Sequence, residues 1–533
     1  MTCWSGSWCG VERVAAAARA CEKRKRGRLD ATAFRLREGE ECLALAHRLE
    51  EGNYFPEPGR VFVTERPKHR EVHAAVYRDR VVHHLLHALL EPAFEPSFSP
   101  SSFACRKGMG THAAARALRT RMVRATRRGG VRVWSLQLDV VNFFMRVHKP
   151  TLLALLRRPL LAVEARLARE GRLPPGGFGP SALASRLVQH DPTVRARRIG
   201  SRASFAAVPP HKRLGASGPD VGIPIGSLTS QFFANIYLSP LDHFVTRTLG
   251  VGGYVRYVDD FVLLHEDPSR LGACEDLIRR FLAERLRLEV RALPIAPVSQ
   301  GVDFVGYVVR PGYALPRRRV VMALRERLAE ANIALAPTII PAGVRVRLPR
   351  LGPVRGPLRV LRLDEAASER LRAVLASYDG HLSQARATRL RERLWADYPN
   401  LHRVLSRSQG RITRRFARAV PAPSLRAQVD QLLRGLGPHD GTPRAVLLVQ
   451  VGRCVEAPRD AHRLDLRVRR LRGRRAAGAP WVAAARLVER ALSRGYAVAV
   501  ALEFPELAGA VKRRRLAYLF EPVASRPIAE DTP

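Results

Sequence analysis

The sequence predicts an α+β protein of several domains, and three observations carry that expectation. Two strand-like runs, Val133–Phe144 and the Val-, Tyr- and Phe-rich Gly253–Leu264, occupy the middle of the chain. Basic, helix-forming sequence fills residues 316 to about 425. Past a Pro/Gly-bearing joint at 435–443, an apolar run, an amphipathic stretch and a second apolar run follow in the order strand, helix, strand.

Within the second run, Asp259 and Asp260 lie between two apolar flanks, the pattern of a β-hairpin with an acidic turn. Adjacent aspartates are common in solvated turns. Here the flanks predict burial, and two buried like charges are costly unless a cation sits between them. A third carboxylate, Asp139, ends the run Val133–Leu138 just before Phe143 and Phe144. Hard cations such as Mg²⁺ take oxygen ligands from carboxylates, phosphates and water. Two such ions about 4 Å apart activate an attacking hydroxyl and steady a departing pyrophosphate. The constellation suits phosphoryl transfer.

Composition bounds the rest. A chain of 533 residues has room for three or four domains, and 46% hydrophobic content describes a folded protein. The formal charge of +43 is spread from end to end and calls for a polyanion partner. A membrane is disfavoured, because no run of 18 apolar residues occurs. The 7 cysteines are odd in number, scattered and without a CxxC pair, which fits a reducing cytosol and argues against zinc. Charged residues near the N-terminus stand where a signal peptide needs an apolar core, so a cytoplasmic protein is expected.

Together these residues resemble the palm of a reverse transcriptase. Tyr257-Val258-Asp259-Asp260 stands where that family carries its YxDD box, and Leu138-Asp139 to Phe144 where it carries its first catalytic Asp and an aromatic gate. The resemblance implies a right-hand polymerase, with fingers, a palm built on an antiparallel sheet and a helical thumb. It implies Asp139, Asp259 and Asp260 as catalytic residues. These three and Val140 would hold two Mg²⁺ ions, with Mn²⁺ as a substitute. Template RNA, primer, cDNA and dNTPs are the implied partners; an accessory protein subunit is compatible, a membrane is not.

In chain order, residues 1–54 read as a basic helical extension whose Cys21–Arg26 cluster either touches nucleic acid or is a solvated helix end. Residues 55–315 resemble fingers and palm. Lys68 and Arg70 alternate, which puts them on one strand face, and by resemblance they reach the incoming triphosphate; an exposed basic strand is the ordinary alternative. The segment Phe103–His112 matches the family's template-side loop, and Arg106 and Lys107 are its nucleic-acid contacts. Phe144 would stand under the sugar and exclude a 2′-hydroxyl. Residues 171–222 read as a loop-rich insertion with some helix.

At Gly222–Asn235 a tight turn leads into a helix, and Ile225, Gly226 and Gln231 are the implied nucleotide contacts. Most reverse transcriptases have Gln before that glycine and Ser-Pro at the end of the box, where this chain has Ile225 and Ser230-Gln231. This wording resembles the reverse transcriptases of diversity-generating retroelements, which copy a template RNA with frequent errors at adenine. Ile225 lacks the amide hydrogen bonds of a Gln, a loss on the order of 1 kcal/mol in positioning. Leu286–Val290 and Gly301–Tyr307 match the closing palm strands and primer grip. Arg291 stands near a position where related enzymes commonly have Lys, and a guanidinium hardly gives up its proton.

Residues 316–434 resemble the helical thumb. Residues 435–533 resemble the α/β mismatch-recognition domain of MutS proteins, whose Gly-x-Phe-x-Glu loop wedges a Phe into the duplex. Gly452-Arg453-Cys454-Val455-Glu456 occupies that loop with Cys454 in place of the Phe. Nucleic-acid contacts are expected from Arg453, Glu456, Lys512 and Arg513, with Arg514 and Arg515 beside them. The expectation is an RNA-directed DNA polymerase, error-prone within a diversity-generating retroelement. A retron-like or antiviral defence reverse transcriptase, and a non-catalytic RNA-binding maturase-like protein, remain open alternatives.

Overall fold

The computed structural model describes residues 6–23, 29–65, 68–173, 176–408, 411–414, 424–436, 445–466, 468–471, 474–508 and 511–523. The basic residues Arg24–Arg26 and most of the joint at 435–443 lie outside these described residues. The chain divides into two units, Met1–Leu315 and Pro316–Pro533.

In the first unit, β1 (Arg60–Thr64) and β2 (Arg70–Ala74) form an antiparallel pair. β3 (Trp134–Val140) shows the alternation that a half-covered sheet dictates: Leu136, Leu138 and Val140 are buried, while Gln137 and Asp139 are only half-buried. β4 (Arg197–Ile199) comes from the segment expected to be loop-rich and runs parallel to β1. β5 (Val255–Tyr257) and β6 (Asp260–His265) form the expected hairpin, and β7 (Val290–Ala292) and β8 (Ala296–Pro297) close on β3. The sheet runs in the order β5-β6-β3-β7, so β3 is central. β9 (Val302–Phe304), β10 (Tyr307–Arg310) and β11 (Tyr313–Pro316) make a separate three-stranded sheet.

One apolar core runs through this unit. Trp8, Leu45, Leu49 and Tyr54 belong to the same buried cluster as Leu136, Phe261 and Leu282. The described residues of 1–54, expected as an extension, are therefore part of the body that carries the sheet: the helices Val11–Glu22, Leu29–Leu36 and Glu38–Glu50 each contribute buried residues to it.

A titrating group inside this body gives a prediction. Asp79 is 1% exposed and accepts hydrogen bonds from the Tyr54 hydroxyl (2.8 Å) and the Glu57 amide (2.9 Å). Burial outweighs those bonds and pushes its carboxyl up to about 6. A raised acid holds its proton longer when folded, so its contribution to stability is full below the unfolded value and is lost as pH rises through the folded one. The stability of the parent relative to Asp79→Asn should fall as pH rises from about 4 through about 6, as read by denaturant titrations of both proteins.

The second unit contains β12 (Thr338–Ile340), β13 (Arg345–Leu348), β14 (Gly352–Arg355), β15 (Leu358–Arg362), β16 (Leu405–Ser408) and β17 (Arg411–Arg414). After them come β18 (Ala445–Val451), β19 (Cys454–Glu456), β20 (Val468–Leu471), β21 (Arg474–Pro480), β22 (Ala497–Ala508) and β23 (Val511–Pro522). β18 lies parallel to β22, joined through the helix Ala484–Ser493, as strand-helix-strand order predicts. Both faces of this sheet are covered, which is why β18 is apolar without interruption. Val446 and Leu448 face a cluster with Val488, while Leu447 and Val449 face one with Leu375 and Leu382.

That second cluster corrects the expected division at 434/435. Leu324, Leu328, Leu375 and Leu394, from helices expected to form a separate thumb, pack on the far face of the C-terminal sheet. β12 and β15 extend the same eight-stranded sheet, in the order β12-β15-β23-β22-β18-β19-β21-β20. Segment 316–434 is thus neither purely helical nor independent of 435–533. Among the described residues, no helix is long and apolar enough to cross a membrane.

Candidate active site

The site lies at one end of the central sheet of the first unit. Antiparallel register sets Asp139 of β3 directly opposite Asp260 of β6 and, on its other side, opposite Arg291 of β7. Only Val258 and Asp259 connect β5 to β6, since Tyr257 pairs with Asp260. The Val140 amide donates to the Asp259 carbonyl at 3.0 Å, which ties the turn to the end of β3. Residues more than a hundred positions apart in sequence are thereby brought together.

Electrostatics distinguish the three carboxylates. Asp259 is half-buried, and its carboxyl is pushed up to about 6, first by burial and then by the charge of Asp139; Arg70 and Arg256 act in the opposite sense. Asp139 takes an ion pair from Arg291 at 3.3 Å. Asp260 accepts a hydrogen bond from Gln137 Nε2 at 3.0 Å, and the same nitrogen donates to the Asp303 carbonyl at 2.8 Å. Asp260 is thus engaged with Gln137, a contact the sequence did not suggest, and among the described residues no group of three His, Cys, Asp or Glu side chains is gathered to hold a metal. The donor chemistry still suits a hard cation. Asp139 and Asp259 offer carboxylate oxygens whose mutual repulsion a divalent ion would relieve, and Asp260 lies one residue on.

The remaining expected residues divide into those near the site and those used elsewhere. Arg70 opens β2, exposed, close enough to Asp259 to affect its ionisation. Lys68 is exposed in the bend before β2, so the two are not neighbours on one strand. Phe143 is core at 1% exposed, whereas Phe144 is half-buried on the short helix Phe143–Arg146 that follows Asp139. The Gly222–Asn235 segment docks on β2. The His73 amide donates to the Ile225 carbonyl at 2.9 Å, and Gly226 has φ +126 with the His73 carbonyl 2.7 Å from where a Cβ would stand. No other residue fits there. Gln231 is exposed near the start of the helix Leu228–His243, beside Cys105.

Arg106 is a correction. Its side chain is 7% exposed, pairs with Glu95 at 2.8 Å and donates to the carbonyls of Ser99 and Ser102. Its fork is consumed within the fold, while Lys107 beside it is exposed. In the second unit Arg453 is exposed at the β18–β19 turn, whereas Glu456 is only 8% exposed on β19. Lys512 is exposed and pairs with Glu503 at 3.3 Å, and Arg513 is half-buried. Arg514, 5% exposed, also pairs with Glu503, and Arg515 pairs with Glu365. Sequence reasoning missed Asp242 and the role of Arg256. Both are 0% exposed and joined at 2.6 Å directly beneath the Asp259 turn.

No protein-family model and no curated protein matches the chain. Among solved structures it is similar to telomerase from Candida albicans in complex with a TWJ fragment of telomeric RNA, at 13% identity and a TM-score of 0.35, covering 65% of this chain and 57% of that one. It is also similar to apo telomerase from Candida tropicalis truncated from the C-terminal domain, at 12% identity and a TM-score of 0.32, covering 48% of this chain and 53% of that one. The chain spans little more than half the length of these structures. A likeness this loose carries no weight for function.

Proposed function

We propose that the chain is an RNA-directed DNA polymerase. The observation that supports this best is the meeting of Asp139 and Asp259 at one end of an antiparallel sheet, with Arg70 beside them. In the proposed reaction a primer 3′-hydroxyl oxygen bonds to the α-phosphorus of a dNTP, the bond from that phosphorus to the β-phosphate oxygen breaks, and pyrophosphate leaves. Asp139 and Asp259, with Asp260 and the Val140 carbonyl next to them, are the groups that would hold two Mg²⁺ ions, which when bound supply charge neutralisation at the reacting phosphate. Arg70 and Lys68 steady the triphosphate, Phe144 lies under the sugar, and Ile225, Gly226 and Gln231 line the nucleotide side. Arg291 serves as a fixed countercharge for Asp139 and not as a proton donor.

The finer proposal is an error-prone enzyme of the diversity-generating-retroelement type. It rests on Ile225 standing where an amide would position the nucleotide, and on Ser230-Gln231. The exposed cations Lys107 and Arg453 are proposed to contact phosphate backbones. The purified chain, given a defined RNA, an annealed primer, dNTPs and Mg²⁺, should extend the primer, and chelation of the metal should stop it. Sequencing the cDNA should reveal errors concentrated opposite template adenines. Extension with evenly spread errors would remove the retroelement assignment alone, and no extension would remove the polymerase.

A further inference from the structure

The turn that carries Asp259 is held from below by an ion pair shielded from solvent. Arg256 and Asp242 are each 0% exposed. Arg256 Nε and Nη2 donate to the two oxygens of Asp242 at 2.6 Å each, and the Tyr254 hydroxyl donates to Asp242 Oδ1 at 2.7 Å. Nη2 also donates to Ser102 Oγ at 3.0 Å, and Nη1 donates to the Val258 carbonyl at 2.9 Å. With the Val140 amide on the Asp259 carbonyl, both carbonyls of the two-residue turn are tied down.

The turn needs such restraint. Val258 has φ 56, a left-handed conformation that β-branched residues seldom adopt. Strained backbone of this kind persists only where its surroundings over-determine it. A well-packed apolar pair would fill the same space with no desolvation cost, but it offers no donor to the Val258 carbonyl. A lysine would keep the charge, yet as a single point it cannot reach Asp242, Ser102 and Val258 together as the planar guanidinium does.

We propose that the buried Arg256–Asp242 pair is a positioning device that clamps the Val258–Asp259 turn and thereby fixes the direction of the Asp259 carboxylate. It rests on the polymerase assignment and deepens it. Arg256 touches no substrate; it acts through the turn.

The test uses the full chain with Arg256→Lys, Val258→Gly and Asp259→Ala, reading primer-extension kcat and KM, thermal melting, and Mn²⁺ binding without substrate. Arg256→Lys should lower kcat at least about 100-fold, leave KM for dNTP within about 3-fold, and weaken Mn²⁺ binding about tenfold. Val258→Gly keeps the ion pair but frees the turn, since glycine accepts positive φ without constraint. It should lower kcat about tenfold with the melting midpoint nearly unchanged. Full kcat and parental Mn²⁺ affinity in Val258→Gly would overturn the proposal even if Arg256→Lys fails to fold. So would a loss in Arg256→Lys that merely tracks its folded fraction. If Asp259→Ala is inactive while the other two variants are fully active, the clamp fails and the polymerase stands; an active Asp259→Ala brings down both.

Discussion

Asp259→Ala should abolish dNTP incorporation on an RNA template, by a factor of about 10³ or more, while leaving the protein folded. A loss of that size corresponds to about 4 kcal/mol of transition-state stabilisation, more than one neutral hydrogen bond supplies but within reach of a lost charge contact at a reacting phosphate. The expectation for stability has the opposite sign. Asp259 sits half-buried against the charge of Asp139, which is why its carboxyl is pushed up to about 6. Removing it relieves both the burial of a charge and the repulsion, so in metal-free buffer the variant should melt at or above the parent's midpoint. Inactivity combined with unchanged or raised stability identifies a group kept for chemistry. Retained incorporation, or inactivity explained by unfolding, would refute that role.

The parts of the site legible in the sequence were those written in local pattern. The strand-like run ending at Asp139 and the apolar flanks of Asp259 marked two strands in the sequence itself. Their register brought Asp139 opposite Asp260 because the sheet has only one way to bury Leu136, Leu138 and Phe261 together. What escaped was set by partners distant in sequence. Arg106 reads as a loop cation, yet carbonyls from Ser99 and Ser102 curl round its fork. Asp242 drew no reading from the sequence; only the fold shows it near the end of a helix with Arg256 against it. Glu456 has the motif spacing, but pairing of β19 with β18 and β21 leaves it only 8% exposed. In the second unit β12 is short and β15 is interrupted by Arg359, so their membership of the large sheet depends on the pairing of β15 with β23, some 150 residues later.

Asp242→Ala should destabilise the first unit by about 3–5 kcal/mol, the largest stability effect expected of a single polar substitution here. The loss comes less from the missing attraction than from what is left behind. Arg256 would keep its charge at 0% exposure with only Ser102, the Val258 carbonyl and, at 3.5 Å, Asn235 to face, and the Tyr254 hydroxyl would lose its acceptor. More exposed pairs such as Arg372–Glu369 should cost well under about 1 kcal/mol when broken, because water replaces the partner. The measurement is hydrogen exchange of β3 and β6 amides in native buffer, which reports the loss in the first unit directly. The double variant Asp242→Leu, Arg256→Met removes both charges at once and should recover most of the protection, since an apolar pair of similar size carries no desolvation penalty. It should not recover incorporation, because the Val258 carbonyl then has no donor and the turn bearing Asp259 is released. Stability restored without activity would separate the two roles of the pair; activity restored along with stability would reduce Arg256 and Asp242 to packing.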